Sequence, residues 1–256
     1  MQLEGKCVLL TGGGSGIGRE LAIEGARRGM QFALAGRRLE ALQETIMQMP
    51  GAGHFAVPGD IRDPAFRRSL MASIEQEWHG LDLLVNNAGL VPVGRLSETT
   101  DEELRGVIET NLMAPMALVR EALPLLKKGN GSRIVNIGSV LGDIPYPLFA
   151  AYSATKAGLR GFSIALRREL APLGIGVTYA APRATSTPAS AALEALIKPF
   201  NMKLDQASKV AKYVWDAVQR EAGSIYPAGP ERMFVLMQRL LPYFVDKAIA
   251  KQFARV

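Results

Sequence analysis

The sequence has little of the residues that form disulfides and metal sites. Among its 256 residues there is one cysteine, Cys7, and there are two histidines, His54 and His79. A single thiol forms no internal disulfide, so nothing in the sequence requires an oxidising compartment. Neither histidine has a neighbouring ligand pattern, and we therefore expect no metal site.

Long apolar segments are also missing. No stretch reaches the roughly twenty apolar residues that a membrane-spanning helix needs. The N-terminus enters an apolar strand within seven residues, without the longer apolar segment and small-residue cleavage pattern of a signal peptide. We therefore expect a cytoplasmic protein.

The chain carries an excess of positive charge. Its formal net charge is +6, a balance that suits nucleic acid or an anionic membrane as a partner. The cations are scattered in pairs such as Arg37-Arg38 and Arg67-Arg68, however, and no run of five or more occurs. We therefore favour a basic enzyme that binds an anionic cofactor, and expect no nucleic-acid partner.

Short apolar runs alternate with segments of helical periodicity along residues 1–229, which we expect to form a single domain. The first apolar run is 7–10, the last is 224–226, and the longest helical segment is 101–126, where Pro115 and Pro124 are expected to kink or divide the helix. This alternation predicts an α/β fold with a doubly wound parallel sheet of about seven strands and helices on both faces, in three α/β/α layers. Ligands of such sheets bind beyond the carboxyl ends of the strands.

One helical segment carries Tyr152 and Lys156 four positions apart, and Ser139 lies thirteen positions before the tyrosine. Residues at i and i+4 share a helix face, so the phenol and the ammonium can point into one cleft. The unperturbed pKa of a phenol is about 10, and a neighbouring cation lowers that pKa toward the working range. The three residues are a candidate proton-transfer unit; taken alone, the same spacing also fits a half-exposed helix face.

A glycine-rich turn joins the first apolar run to a helix, in the sequence Thr11-Gly12-Gly13-Gly14-Ser15-Gly16-Ile17-Gly18. Glycines let the backbone approach a pyrophosphate, and the helix N-terminus supplies N–H donors and the positive end of its dipole. The spacing differs from the GxGxxG fingerprint. The order of strand, glycine turn and helix is nevertheless the context that a dinucleotide site requires.

Six motifs in this order resemble those of the short-chain dehydrogenases/reductases, over about residues 5–190. The resemblance implies a Rossmann-type fold and hydride transfer between a nicotinamide cofactor and a carbonyl or alcohol. The motifs are Thr11-Gly12-x3-Gly16-x-Gly18, Asp60-Ile61, Asn86-Asn87-Ala88-Gly89, Asn111, Ser139 and Tyr152-x3-Lys156.

The resemblance implies a role for each catalytic residue. Tyr152 would be the general acid/base, and Ser139 would orient and polarise the substrate oxygen. Lys156 would lower the pKa of the phenol and hydrogen-bond the nicotinamide ribose. Asn111 would hold a water that links Lys156 to solvent; without the other motifs, a capping or buried polar residue would be the preferred interpretation of Asn111.

The resemblance also implies a set of cofactor ligands. Asp60 would hydrogen-bond the adenine ring with Ile61 packed beside it, and residues 87–89 would line the adenosine ribose. The complete set is Gly12, Gly14, Ser15, Gly16, Ile17, Gly18, Arg37, Arg38, Asp60, Ile61, Asn87, Ala88, Gly89, Tyr152, Lys156, Pro182, Thr185 and Thr187, of which the last three would hold the nicotinamide carboxamide and phosphate.

The end of the second strand distinguishes between the two nicotinamide cofactors. NAD-dependent members usually carry an Asp there, whereas this chain has Gly36 followed by Arg37 and Arg38. A guanidinium binds phosphate through charge-assisted bonds of about 1.5–3 kcal/mol each, and Ser15 can add a hydroxyl. We therefore expect NADP(H) rather than NAD(H), with Arg37 on the 2′-phosphate and Arg38 either stacked on the adenine or facing solvent.

Arg183 departs from the family pattern. It follows the sixth strand at a position where the family commonly has glycine, so a positive φ there is in doubt. Its side chain either lines the mouth of the site and attracts an anionic substrate or, as we favour, faces solvent.

Two further segments bear on the substrate and on partners. Residues 186–204 match the substrate lid of the family and are largely apolar, which favours an apolar carbonyl substrate; ordinary packing is the alternative. Residues 230–256 have the pattern of two short cationic amphipathic helices. We expect this extension to pack on the domain or on a partner subunit of a homo-oligomer, dimer or tetramer, with peripheral contact to an anionic membrane less favoured. The apolar residues expected beside the lid are Val140, Leu141, Ile144, Tyr146 and Phe149.

The sequence therefore predicts an NADPH-dependent reductase of small carbonyl compounds, or an alcohol dehydrogenase in the reverse direction. The alternative is a dinucleotide-sensing or scaffold protein that uses the same fold without turnover. The complete set of Ser139, Tyr152, Lys156 and Asn111 favours the enzyme, because a binding module has no need for a tuned phenol. These motifs specify neither the substrate, nor the direction, nor the number of subunits.

Overall fold

A computed structural model describes residues 1–187, 194–197 and 202–254. The strands are β1 (Cys7–Thr11), β2 (Gln31–Gly36), β3 (Phe55–Pro58), β4 (Leu83–Asn86), β5 (Arg133–Ile137), β6 (Gly176–Ala180), β7 (Thr185–Ser186), β8 (Asp205–Gln206) and β9 (Ser224–Ile225). Seven of them form one parallel sheet in the order β3-β2-β1-β4-β5-β6-β9, while β7 pairs with β8. The predicted doubly wound α/β fold is confirmed.

Helices cover both faces of the sheet. They are α1 (Gly16–Arg27), α2 (Leu39–Met47), α3 (Pro64–Trp78), α4 (Asp101–Ile108), α5 (Ala114–Leu126), α6 (Ala150–Leu170), α7 (Glu194–Ile197), α8 (Ala207–Gln219), α9 (Glu231–Leu240) and α10 (Pro242–Phe253). In the described ranges, no helix is both long enough and apolar enough to cross a membrane.

The sheet is buried on both faces, which accounts for the nearly unbroken apolar runs in its strands. Val8 and Leu10 of β1 pack toward α1 and α8, whereas Leu9 faces the opposite core with α3, α5 and α6. Trp215 of α8 is fully buried, and its indole N–H donates to the carbonyl of Leu21 at 2.9 Å. That bond fixes α8 against α1.

The strand order reverses beside β1, and this reversal determines where a ligand can bind. The chain runs from β1 outward through β2 and β3, and then returns to place β4 on the other side of β1. A crevice opens at the carboxyl ends of β1 and β4 in such a sheet. The glycine turn follows β1 and residues 87–89 follow β4, so two of the sequence motifs meet at this crevice.

The helical segment predicted over residues 101–126 is interrupted by a π-helical turn. α4 begins with a capping box between Thr100 and Glu103, and Glu109–Met113 form the π turn that precedes α5. Pro115 lacks the N–H that would bond the carbonyl of Asn111 in an α-helix, and it therefore favours the wider turn. The division thus lies just before Pro115, while Pro124 is accommodated inside α5.

A chain of buried hydrogen bonds fixes α6 on the sheet. The Asn86 amide donates to Asn136 Oδ1 at 2.9 Å, and the Asn136 amide donates to Ser163 Oγ at 2.9 Å. The Ser163 hydroxyl in turn donates to the carbonyl of Leu159 at 2.7 Å. Because α6 also carries Tyr152 and Lys156, these hydrogen bonds set the position of both side chains relative to the sheet.

We expect Asn136→Ala to lower the free energy of unfolding by about 2–4 kcal/mol, because it leaves the buried Asn86 amide without its acceptor and removes the donor to the Ser163 hydroxyl, which keeps its bond to Leu159. Urea unfolding followed by circular dichroism measures the change. Asn130→Ala is the control, since Asn130 is exposed and only its backbone forms hydrogen bonds in the described part of the chain. A loss no larger than that of the control would contradict this role.

Candidate functional site

One cleft at the carboxyl ends of the strands brings together nearly all of the predicted site residues. Its volume is about 950 Å³. Ser139, Tyr152, Lys156 and every predicted cofactor ligand line it, and Asn111 does not. The apolar residues expected beside the lid also line it, namely Val140, Leu141, Ile144, Tyr146 and Phe149.

The turn between β1 and α1 is a close-fitting backbone cradle. Gly12 and Gly16 have φ angles of 70° and 55°, in the left-handed region. A Cβ on Gly18 would lie 2.1 Å from the carbonyl oxygen of Gly12, so no side chain fits there. The first turn of α1 contains no acidic residue, and Ser15 makes no capping hydrogen bond. The N–H groups in the first turn of α1 are therefore available to an anion, and the glycine turn before it fits the pyrophosphate of a dinucleotide.

Asn87 and Thr11 hold the end of β4 against the glycine turn. The Asn87 amide donates to the carbonyls of Thr11 at 3.0 Å and Gly12 at 3.2 Å. The Thr11 hydroxyl accepts the backbone N–H of Asn87 at 3.0 Å and of Ala88 at 3.1 Å. The Asn87 side chain thus stabilises the wall of the cleft, while the backbone of Ala88 and Gly89 borders the cleft itself.

Two guanidinium groups lie at the end of β2 beside the glycine turn. Arg37 and Arg38 are both exposed, and within the described ranges neither forms an ion pair or a hydrogen bond with a side chain. Arg62, in contrast, binds the Asp60 carboxylate at 2.7 Å and lowers its pKa. Arg62 therefore makes the main interaction with Asp60 and Arg37 adds a smaller attraction, while Arg37 and Arg38 both stay exposed on the same side of the cleft as Ser15.

α6 brings the predicted proton-transfer residues together at the inner end of the cleft. Tyr152 and Lys156 are both buried, and Lys156 Nζ lies 5.6 Å from the centroid of the tyrosine ring. The ammonium donates to the carbonyl of Ile137 at 2.9 Å. The Ser139 side chain lies close enough to the phenol of Tyr152 to lower its pKa. The three side chains therefore form a polar patch at the inner end of the cleft.

Burial dominates the titration of this pair. It raises the pKa of Tyr152 to about 12, against a smaller lowering by the Ser139 side chain. It also lowers the pKa of Lys156 to about 8. The sequence argument expected the neighbouring cation to lower the pKa of the phenol, and this was wrong: the loss of hydration dominates, and the contribution that opposes it comes from Ser139. Near neutrality the phenol holds its proton.

Asn111 lies behind the cleft, in the π turn. Its amide exchanges two hydrogen bonds of 2.8 Å with the backbone of Leu90 and donates to the Thr155 hydroxyl at 3.2 Å. The Thr155 hydroxyl donates to the carbonyl of Tyr152 at 2.7 Å. Asn111 thus ties the segment after β4 to α6. No bond from Asn111 to Lys156 occurs among the described residues, and the water-relay role stays a prediction.

Arg183 lines the cleft, as one of its two expected roles required, but its charge is already paired. Its guanidinium is partly buried and binds Asp205 at 2.9 Å and Glu231 at 2.5 Å. The prediction of a solvent-facing charge was wrong, because two carboxylates distant in sequence converge on it; the same pairing leaves no surplus charge to attract an anionic substrate. Arg183 links the loop after β6 to β8 and to α9. Its φ is not positive, since the described non-glycine residues with positive φ are His79, Leu148 and Glu221.

The outer wall of the cleft is formed by α9 and α10, which the sequence analysis did not assign to the site. Their amphipathic pattern indicated a buried face, but it carried no signal for what that face covers. Val235 and Val245 pack against Ile144 in a small apolar cluster. The residues of these two helices that line the cleft are Glu231, Phe234, Met237, Phe244, Val245, Ala248, Ile249 and Gln252.

A single buried carboxylate anchors this wall. Asp143 accepts hydrogen bonds from Arg239 of α9 at 3.0 Å and from the Tyr226 hydroxyl at 3.0 Å. It also pairs with Arg160 of α6 at 2.8 Å. Asp143 lies four residues after Ser139, so α9 is tied to the loop that carries that serine.

The predicted lid, residues 186–204, is described only in part. Residues 188–193 and 198–201 lie outside the described residues. Of the remainder, Leu196 and Met202 pack with Phe149 and Tyr152. The described ends of the segment therefore border the inner end of the cleft. In the described ranges, no group of three or more His, Cys, Asp or Glu side chains is placed to hold a metal ion.

We expect Arg183→Ala to lower the free energy of unfolding by about 2 kcal/mol, because it leaves two partly buried carboxylates unpaired. Thermal and urea unfolding measure this change. Arg105→Ala is the matched control: Arg105 pairs with Asp101 at 3.7 Å on an exposed helix surface, and its loss should cost less than about 0.5 kcal/mol. Equal stability of the two variants would show that the Arg183 pairs contribute nothing.

Comparison with known proteins agrees with this geometry. The family model described as short chain dehydrogenase matches residues 6–197. The 3-oxoacyl-(acyl-carrier-protein) reductase FabG of Escherichia coli is 37% identical over 193 residues, which cover 75% of this chain and 79% of that protein. The chain therefore belongs to the short-chain dehydrogenase family, whose members are oxidoreductases with an NAD(P)-binding Rossmann fold.

Two solved structures resemble the chain over most of its length. The 3-ketoacyl-(acyl-carrier-protein) reductase of Brucella melitensis, complexed with NADH, superposes with a TM-score of 0.80 at 27% identity and covers 87% of this chain and 96% of its own. A short chain dehydrogenase of Burkholderia cenocepacia, in complex with NADP, gives a TM-score of 0.79 at 29% identity and covers 88% of this chain and 96% of its own.

Proposed function

We propose that the protein is an NADPH-dependent reductase of apolar carbonyl compounds, with Tyr152 as the proton donor. The observation that carries this proposal is the buried contact of Ser139, Tyr152 and Lys156 in the same cleft as the glycine turn. A protein that only bound a dinucleotide would have no need to bury a phenol next to an ammonium.

The residues of the chain divide the work of proton transfer. The neighbouring hydroxyls of Ser139 and Tyr152 form a site for a substrate oxygen. A bound nicotinamide supplies the hydride. Tyr152, whose pKa is raised to about 12, holds its proton until negative charge develops on that oxygen, and then donates it. Lys156 is protonated below its pKa of about 8, and its ammonium stabilises the phenolate that remains.

The choice of NADP(H) rests on the end of β2. The two related structures carry NADH in one case and NADP in the other, so relatedness does not settle the preference. Arg37 and Arg38 supply exposed positive charge that forms no ion pair within the described ranges, and Gly36 stands where an acidic residue would repel a 2′-phosphate. The N-terminal turn of α1 would hold the pyrophosphate.

The substrate class follows from the lining of the cleft beyond the proton donor. Leu141, Tyr146 and Phe149 border it on one side, and Phe234 and Phe244 of the outer wall border it on the other. Such a surface gains free energy by burying apolar groups and offers few partners to a polyhydroxylated compound. The 3-oxoacyl groups in the names of two relatives are carbonyl compounds of this apolar kind.

We expect Tyr152→Phe to lower kcat by about 100-fold or more in an NADPH-oxidation screen over ketones, aldehydes and quinones. The phenyl ring preserves the packing but has no proton to donate. NADPH binding, measured by fluorescence titration, should persist in this variant. Tyr243→Phe is the control, because Tyr243 is exposed on α10 and lies outside the cleft lining.

Two results would count against this mechanism. Full activity in Tyr152→Phe would remove the phenol from the reaction. NADPH binding by the wild-type protein without turnover of any compound in the screen would favour the dinucleotide-sensing alternative.

We expect Arg37→Ala to raise the KM for NADPH by about 10- to 100-fold and to leave the KM for NADH unchanged, because it removes one charge-assisted bond to the 2′-phosphate. Steady-state kinetics with both cofactors measure this. Arg68→Ala, an exposed arginine on α3, is the control. An unchanged KM for NADPH, or a wild-type protein that prefers NADH, would refute the assignment.

A further inference from the structure

The C-terminal helix pair, α9 and α10, presents a continuous apolar surface to the outside of the molecule. Leu236 is 55% exposed and Leu240 is 68% exposed, and they lie on one face of α9 at i and i+4. The large apolar residues exposed in this segment are Met233, Phe234, Leu236, Leu240, Leu241, Tyr243 and Phe244. A cluster of this kind on a folded protein marks an interaction surface.

This surface belongs to helices that are packed on the rest of the protein. Val235 and Val245, on the inner side of the pair, are buried with Ile144. Arg239 reaches Asp143, whose side chain is 1% exposed. The apolar side chains that point outward are therefore held on a supported surface, and the described part of the chain leaves them exposed.

The charge around this surface is positive. Tyr243, Lys247 and Lys251 follow one another at intervals of four on α10, and Lys247 Nζ lies 4.8 Å from the centroid of the Tyr243 ring. Of the two acids in the pair, Glu231 is bound to Arg183, which leaves Asp246. Aromatic and aliphatic groups interleaved with cations are the composition of helices that lie in the interface of an anionic bilayer.

We propose that the C-terminal helix pair docks on an anionic lipid bilayer and places the mouth of the cleft against it. Phe234 and Phe244 connect the two features, because each lines the cleft and each is also exposed, at 44% and 60%. A second copy of the chain seated here would cover that mouth, whereas a bilayer supplies apolar compounds to it. The exposed apolar residues Ile108, Met113 and Met116 on α4, the π turn and α5 offer a separate face for contact between copies.

Co-sedimentation of the full-length protein with vesicles tests this proposal. We expect binding to phosphatidylglycerol vesicles at low salt, with much weaker binding to phosphatidylcholine vesicles and release as salt is raised. Leu236→Gln/Leu240→Gln should lower the partition at least about tenfold through the lost apolar burial. Lys247→Gln/Lys251→Gln should lower it about tenfold through the lost attraction. Met47→Gln/Leu173→Gln, a pair of exposed apolar residues elsewhere, should leave it unchanged.

Absence of the wild-type protein from the phosphatidylglycerol pellet at low salt would overturn the proposal, and so would an equal loss in the Met47/Leu173 control. Light scattering tests whether a second copy of the chain occupies this surface instead. If the wild-type protein does not bind vesicles and Leu236→Gln/Leu240→Gln lowers the molecular mass of the protein in solution, the surface is a contact between copies. Docking requires no turnover. Vesicle binding by a protein without reductase activity would therefore leave the docking proposal standing and remove the proposed function.

Discussion

The hydrogen bond from Lys156 to the carbonyl of Ile137 fixes the geometry on which the rest of the site depends. It joins α6 to the last residue of β5, at the sheet edge where ligands bind. A buried ammonium needs such a partner, since an unpaired one would lose its hydration without compensation. The loop after β5 then crosses α6 so closely that a Cβ on Gly142 would lie 2.7 Å from the Lys156 carbonyl carbon. Ser139 and the tyrosine helix are therefore held in one arrangement.

Burial shifts the pKa values of Tyr152 and Lys156 in opposite directions, and each shift favours the neutral form of the group. It raises the pKa of the phenol and lowers the pKa of the ammonium. At a pH between these two pKa values, Tyr152 holds its proton. At a pH below the pKa of Lys156, Lys156 also carries its charge. Near neutral pH the site thus contains a protonated phenol and a charged ammonium, the two groups that the proposed carbonyl reduction requires.

The sequence predicted the parts of the site that lie at strand ends. The glycine turn, residues 87–89 and the Ser139 loop each follow a strand, and parallel strands end at the same edge of a sheet, so local patterns were sufficient to bring them together. The partners of Arg183 were out of reach, because Asp205 and Glu231 lie 22 and 48 positions away. The predicted direction of the Tyr152 pKa shift was also wrong, because the hydration of the phenol depends on packing that the local spacing of residues does not reveal.

The outer wall of the cleft shows why amphipathic periodicity alone cannot assign a helix to a site. In α9, Val235 faces inward and Leu236 outward, a division that packing on the domain, on a second copy or on a lipid surface would equally produce. What identifies the inner target is the set of polar anchors. Asp143 receives Arg239 from α9 and Arg160 from α6, one turn beyond Lys156. The wall, the serine loop and the tyrosine helix therefore share one carboxylate, so a substrate that displaces α9 strains the same anchor that positions the residues proposed to transfer the proton.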